Sequence, residues 1–222
     1  GDVYKRQGDT EASRDLFAMD TYMTVTAYGK GATEAVDQAA DEISRLDQLL
    51  STGNEDSEIY KINQSGDGIL SEETAYLVER SLDLYEATDG AFDIAIYPVM
   101  KACGFTDDNF RVPDADELKD LLTLTDASDI SYDKETSQIA FKKDGMQIDF
   151  GGIAKGYTSA RIMDIFRACG IKSGLVNLGG NVQALGTKKD GSSWRVAVQD
   201  PQDTDQYLGV LSIQDKAVIT SG

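Results

Sequence analysis

Residues Asp149 to Tyr157 read Asp-Phe-Gly-Gly-Ile-Ala-Lys-Gly-Tyr, and their types and spacing could do chemistry. An apolar run carrying an acid leads in (Met146, Ile148, Asp149), and an amphipathic pattern leads out (Ile153, Ala154, Tyr157, Ile162, Ile165, Phe166). The pattern predicts a strand that turns sharply into a helix. Glycines at a helix start leave backbone N–H groups unobstructed, and the helix dipole favours an anion there. Lys155 puts a cation in the first turn, where it is disfavoured unless an anion is present. Asp149 beside it can hold a metal or accept a hydrogen bond from a ligand. The chemistry indicated is capture of a phosphorylated ligand. The segment is neither a P-loop nor the Gly-x-Gly-x-x-Gly dinucleotide turn. A tight strand-to-helix connection with a solvated lysine accounts for the same residues.

Other segments carry weaker signals. Thr88-Asp89-Gly90-Ala91-Phe92-Asp93 combines a flexible glycine, a small Ala91 that admits a flat ligand, and the acceptor Asp93. It also reads as a helix stop followed by a core phenylalanine. Asn177-Leu178-Gly179-Gly180-Asn181 reads as a tight β connection, because Gly and Asn tolerate positive φ. Ser57 and Asn63 read as turn residues, and Met19-Asp20-Thr21 as a core edge plus a turn.

The elements that must position these residues follow from periodicity. Thr21 to Tyr28 alternates and reads as a strand. Thr33 to Leu50 reads as a helix capped by Thr33, with Val36, Ala39, Ala40, Ile43, Leu46 and Leu50 on one face. Ser51 to Asp67 reads as a polar loop with a short turn around Ile59 to Ile62. Ser71 to Ala87 reads as a helix capped by Ser71 and ended by Gly90, and Pro113 to Leu122 as a short helix capped by Asp114. Short strands are expected at 130–132, 138–141 and 146–149. A helix follows from about Ile153 to Cys169. Further strands are expected at 174–177, 181–186, 194–199, 208–213 and 217–220. Helices come first and strands last, so the class is α+β rather than doubly wound α/β. No repeat or linker is visible, and one domain is expected.

Composition narrows the partners. The 222 residues carry a net charge of −18, with no basic stripe to neutralise a nucleic-acid backbone. There is no histidine, which removes Ser-His and Cys-His catalysis and any imidazole-ligated metal. A metal here is a hard cation on oxygen ligands, Mg²⁺ or Ca²⁺. Cys103 and Cys169 are far apart, and nothing favours their pairing. No apolar run reaches the length of a membrane span. Gly1 to Gln7 match the translation of a common sequencing-library adapter, so residues 8–222 are read as the domain proper, incomplete at its C-terminus.

Taken in order, the motifs carry a resemblance. Met19-Asp20-Thr21, Ser57-Glu58-Ile59 with Ile62-Asn63, and Thr88 to Asp93 are followed by Asp149 to Tyr157, Asn177 to Asn181, Asp200-Pro201 and Thr220-Ser221-Gly222. From about Met19 to Gly222 the chain resembles the ApbE family of FAD:protein FMN transferases. The resemblance implies a single α+β domain with helices on mostly antiparallel or mixed sheets. It implies Mg²⁺-dependent transfer of FMN from FAD to a threonine hydroxyl of an acceptor protein, with release of AMP. Cleavage of FAD to FMN and AMP, or FAD binding without catalysis, are the alternatives.

By motif position Met19, Ala91, Phe92, Asp93, Ile219 and Thr220 would contact FAD. Asp149 and Lys155 would bind it and serve catalysis, and the main-chain oxygen of Gly152 would be one Mg²⁺ ligand. Side-chain Asp and Thr ligands are expected beyond Gly222, so the chain as written is expected to bind metal weakly and to be inactive. Gly53 stands where the family has an aromatic residue, leaving Tyr22 or Tyr60 to stack on the flavin. The implied acceptor is a subunit of a membrane redox complex. The implied location is extracytoplasmic, on a lipid anchor.

Overall fold

The computed structural model describes residues 11–220. The adapter-like Gly1–Gln7 and the Ser221-Gly222 end of the last motif lie outside the described residues. The described chain divides into two compact units. One is formed by the residues up to Leu46 and those from Lys155 onward, the other by Asp47–Ala154.

The first unit is built on β1 (Glu11–Ala18), β2 (Thr21–Tyr28), β6 (Ser173–Leu178), β7 (Asn181–Leu185) and β10 (Ala217–Ile219). They form a sheet in the order β1-β2-β6-β7-β10, with every neighbouring pair antiparallel. Alternation in β2 buries Met23, Val25 and Ala27 on one face, as a half-buried strand requires. Against them pack Val36, Ala39 and Ile43 of α1 (Ala32–Leu50) and Ile162, Met163 and Phe166 of α6 (Gly151–Ala168). Gly174 of β6 is required there, since a Cβ would sit 2.8 Å from the Phe166 ring. A second cluster gathers Val182 and Ala184 of β7 with Trp194, Val196 and Ile213. The last three belong to the antiparallel pair β8 (Trp194–Gln199) and β9 (Tyr207–Ile213).

The second unit holds α2 (Glu58–Ser65), α3 (Glu72–Ala87), α4 (Tyr97–Ala102) and α5 (Ala115–Leu122). It also holds an antiparallel sheet in the order β3-β5-β4, from Asp67–Ile69, Gln138–Phe141 and Ile130–Asp133. Asp114 caps α5 by accepting from the Glu117 amide at 2.8 Å, as the sequence reading has it. The divisions between units fall inside α1 and α6, so no linker composition marks them.

The class is α+β, and the apolar face expected for α1 is buried from Val36 to Leu50. Several expectations need correction. The helix starts at Ala32, so Thr33 lies inside its first turn and not at the cap. The expected polar loop contains α2, because Ser57 accepts from the Tyr60 amide at 2.9 Å and starts a helix that Gly66 ends. Ser71 precedes α3 but makes no cap bond, since its hydroxyl donates to Glu58 Oε2 at 2.7 Å instead. The 146–149 segment belongs to no sheet, and α6 begins at Gly151 rather than Ile153. Among the described residues β1, β3, α4 and the 3-10 turns Ile94–Ile96 and Ala127–Asp129 have no counterpart in the sequence expectations. Cys103 and Cys169 are free.

Candidate functional site

In the second unit the candidate residues collect at the start of α6. The Asp149 amide donates to Ile94 O at 2.8 Å, which fixes the backbone just ahead of the helix. Asp149 Oδ1 accepts from the Gly151 amide at 2.7 Å, a charge-assisted bond at the positive end of the helix dipole. That amide, which the sequence reading leaves open to a ligand, is thus taken by the protein's own carboxylate. The Ile153 and Ala154 amides both donate to Phe150 O. Gly151 and Gly152 are exposed. A Cβ at Gly152 would lie 2.8 Å from the Phe92 ring. The glycine is needed because an edge of the Phe92 ring packs against the helix start, where a side chain at 152 would meet it.

Phe92 is itself held from behind, its amide donating to Thr88 Oγ1 at 2.9 Å. Ala91 is exposed beside it. Asp93 has another occupation. Its Oδ1 accepts from the Ala95 amide at 2.8 Å and its Oδ2 from the Ala127 amide at 3.0 Å. Burial pushes its carboxyl above the ordinary range, the two amide bonds pull the other way, and Asp126 adds to the rise. Asp126 is held low, first by the hydrogen bond from the Tyr85 hydroxyl at 2.6 Å and then by Ser128.

In the first unit the other candidates meet at one end of the five-stranded sheet. Met19 and Asp20 form the two-residue β1–β2 turn with φ of +50° and +58°. Such a turn usually carries Asn and Gly, and holding a methionine there costs about 1–2 kcal/mol. Met19 packs on the core cluster, and its sulfur accepts from the Thr158 hydroxyl of α6 at 3.9 Å. Gly179 and Gly180 form the matching β6–β7 turn at φ +59° and +94°. A Cβ on Gly179 would collide with Thr21 Oγ1, and one on Gly180 would come within 2.7 Å of Thr220 Oγ1. Thr220 donates to Gly180 O through its amide at 3.0 Å and its hydroxyl at 3.2 Å. Asn181 is buried and accepts from Ser159 Oγ at 3.5 Å. Ile219 is exposed on β10. Lys155, on α6, is half-buried, and its ammonium makes no ion pair or hydrogen bond among the described residues.

The structure therefore brings together Phe92 with Gly152, Asp149 with Gly151, and Thr220 with the 179–180 turn. It turns the carboxylate of Asp93 toward its own backbone. Of the two rings offered for stacking, Tyr22 is 72% exposed and Tyr60 is half-buried in α2. Thr158 and Ser159 were not candidates in the sequence, and Asn63 stood there only as a turn residue and a member of the Ile62-Asn63 motif. The first two sit on the buried face of α6 among apolar residues, and their polarity at core spacing was the available signal. Among the described residues no three carboxylates or thiols are grouped to hold a metal.

A family model described as the ApbE family matches residues 19–222. A FAD:protein FMN transferase of Treponema pallidum is 32% identical, with 96% of this chain and 64% of the relative covered. A second protein of that name, from Klebsiella pneumoniae, is 30% identical over 81% of this chain and 56% of its own length. The chain thus spans roughly three fifths of these relatives. The crystal structure of the ApbE protein from Thermotoga maritima superposes with a TM-score of 0.89 at 28% identity, covering 96% of this chain and 70% of that one.

Proposed function

Because the chain belongs to the ApbE family, we propose that it is the flavin-handling domain of an enzyme that transfers FMN from FAD to a threonine hydroxyl of an acceptor protein. The observation that carries the reading is the start of α6, where Asp149 caps an exposed glycine pair and the Phe92 ring lies on Gly152. An aromatic side chain next to charged and backbone groups suits a ligand that is part ring and part phosphate.

In the transfer, the threonine oxygen bonds to the phosphorus of the FMN half. The bond from that phosphorus to the bridging oxygen breaks, AMP departs with that oxygen, and the hydroxyl proton passes to solvent water. Such a reaction needs positioning and charge neutralisation more than a covalent catalyst. The chain's own groups divide these tasks. Phe92 and Ala91 supply surface for the ring system, Asp149 holds the helix start in one geometry, and Lys155, one turn along α6 from Gly151, brings a positive charge. Asp149 itself would repel a diphosphate, and this favours a cation between the two. Mg²⁺ dependence is therefore part of the proposal, with Gly152 O as the ligand named within this chain. When bound, the metal's contribution is neutralisation of the pyrophosphate and the leaving AMP. A membrane redox subunit as acceptor and a location outside the cytoplasmic membrane belong to the same proposal.

The test is flavin fluorescence on an acceptor polypeptide after denaturing electrophoresis. It uses a chain carrying this domain at the full length of its relatives, with FAD and Mg²⁺. A fluorescent acceptor band that EDTA abolishes supports transfer. Free FMN with a dark acceptor band would replace transfer by hydrolysis, and intact FAD would leave binding alone.

A further inference from the structure

The segment leading to Asp149 crosses the second unit without a strand partner, yet its central backbone groups are paired. Asn63 pairs them. Its Oδ1 accepts from the Ile148 amide at 2.8 Å, and its Nδ2 donates to Ile148 O at 2.9 Å. One carboxamide thus replaces both bonds that a neighbouring strand would have made. The assignment of oxygen and nitrogen is fixed by the partners, since a flipped amide would set donor against donor and acceptor against acceptor. Asn63 is 7% exposed and Ile148 is fully buried, so neither bond competes with solvent. Asn63 is in turn held by α2, whose start Ser57 caps.

We infer that Asn63 is a positioning residue of the cofactor site. The residue after Ile148 is Asp149, whose amide is fixed by Ile94 O and whose carboxylate caps α6 at Gly151. A shift of Ile148 would pass directly into that cap and into the exposed glycine pair. Asn63 touches no ligand in this scheme and acts through Asp149. The flavin part of the inference rests on the proposed function; the placement of Asp149 does not.

The experiment compares Asn63→Asp with Asn63→Ala and the parent, each in a chain carrying this domain at the full length of its relatives. FAD affinity is measured by flavin fluorescence at a temperature where all three are folded, alongside amide-exchange protection at Ile148 and Gly151. At neutral pH both variants should bind FAD about tenfold more weakly, the scale of one lost buried hydrogen bond. The variants then diverge. A protonated carboxyl carries a donor and an acceptor like the amide it replaces, whereas an ionised one sets an oxygen against Ile148 O. Burial raises the pKa of such an acid. As pH falls from about 7 to about 5, Asn63→Asp should recover affinity and protection toward the parent, and Asn63→Ala should not.

A merely structural role would lower the melting temperature and leave the affinity of the folded chain unchanged. Parent-like FAD affinity in both variants, or no acid recovery in Asn63→Asp, would overturn the inference. If the parent chain binds no FAD, the transferase reading fails and the flavin role of Asn63 fails with it. The protection profile at Gly151 then still decides whether Asn63 places Asp149, and unchanged protection in Asn63→Ala would refute that too.

Discussion

Gly152 bears on both packing and the proposed site. Replacing it by alanine would gain about 1 kcal/mol of helix propensity. The new methyl would meet the half-buried Phe92 ring, which must swing aside. Displacing a ring at a packed contact costs about 1–3 kcal/mol. The two effects nearly offset, so Gly152→Ala is expected to change stability by less than about 2 kcal/mol in urea unfolding. It should weaken FAD binding severalfold, because the ring no longer lies where the helix start leaves room for it. Equal affinity in titrations of the two chains would remove Phe92 from the site. At this scale Asp149, Gly152 and Phe92 stood out as candidates in the sequence, because carboxylate, paired glycine and aromatic side chains are informative at short spacing, and the structure sets them side by side. Asn63 did not. Its partner lies 85 residues away, and nothing local distinguishes a carboxamide that pairs a distant backbone from one in a turn.

Among the elements, α1 and α6 are tied by charge as well as by the core. Glu42 of α1 accepts from Arg45 of the same helix at 2.6 Å and from Arg161 of α6 at 3.4 Å. The hydrogen bond from Arg45 is the largest influence and holds the Glu42 carboxyl below its ordinary range, with both arginine charges adding and burial opposing. A depressed folded value means that the stabilisation is present above the unfolded glutamate range and is lost as pH falls through the folded value. Glu42→Gln should therefore cost up to about 1 kcal/mol at pH 7, discounted because both arginines are substantially exposed. The deficit should shrink as pH drops below about 4. Chemical denaturation at several pH values measures it, and a pH-independent deficit would mean that the carboxylate charge is not what links the helices. The periodicities of α1 and β2 were readable because a helix face and a strand face repeat within a few residues. β1 escaped because Arg14 interrupts its inward series Ala12, Leu16 and Ala18 and Phe17 puts an apolar ring on the exposed face, and β3 because it is only three residues long.

The whole molecule carries a formal charge of −18, and that excess acts against compaction. Raising ionic strength from about 10 mM to 150 mM shortens the screening length from about 30 Å to about 8 Å. The melting temperature is expected to rise over that range, because screened self-repulsion outweighs the few weakened surface ion pairs. A falling melting temperature in a salt series would show that ion pairs such as Glu42–Arg161 dominate instead. Charge, the absence of histidine, the α+β order of elements and the motif order behind the family resemblance were all fixed by the amino-acid sequence. Each depends on residue type or on neighbours close along the chain. Tertiary structure alone decided that the Gly151 amide belongs to Asp149, that Asp93 spends its carboxylate on Ala95 and Ala127, and that Asn63 stands in for a missing strand. Those assignments are competitions for hydrogen-bond partners. The winner depends on which groups the fold brings within about 3 Å of one another, which sequence spacing does not encode.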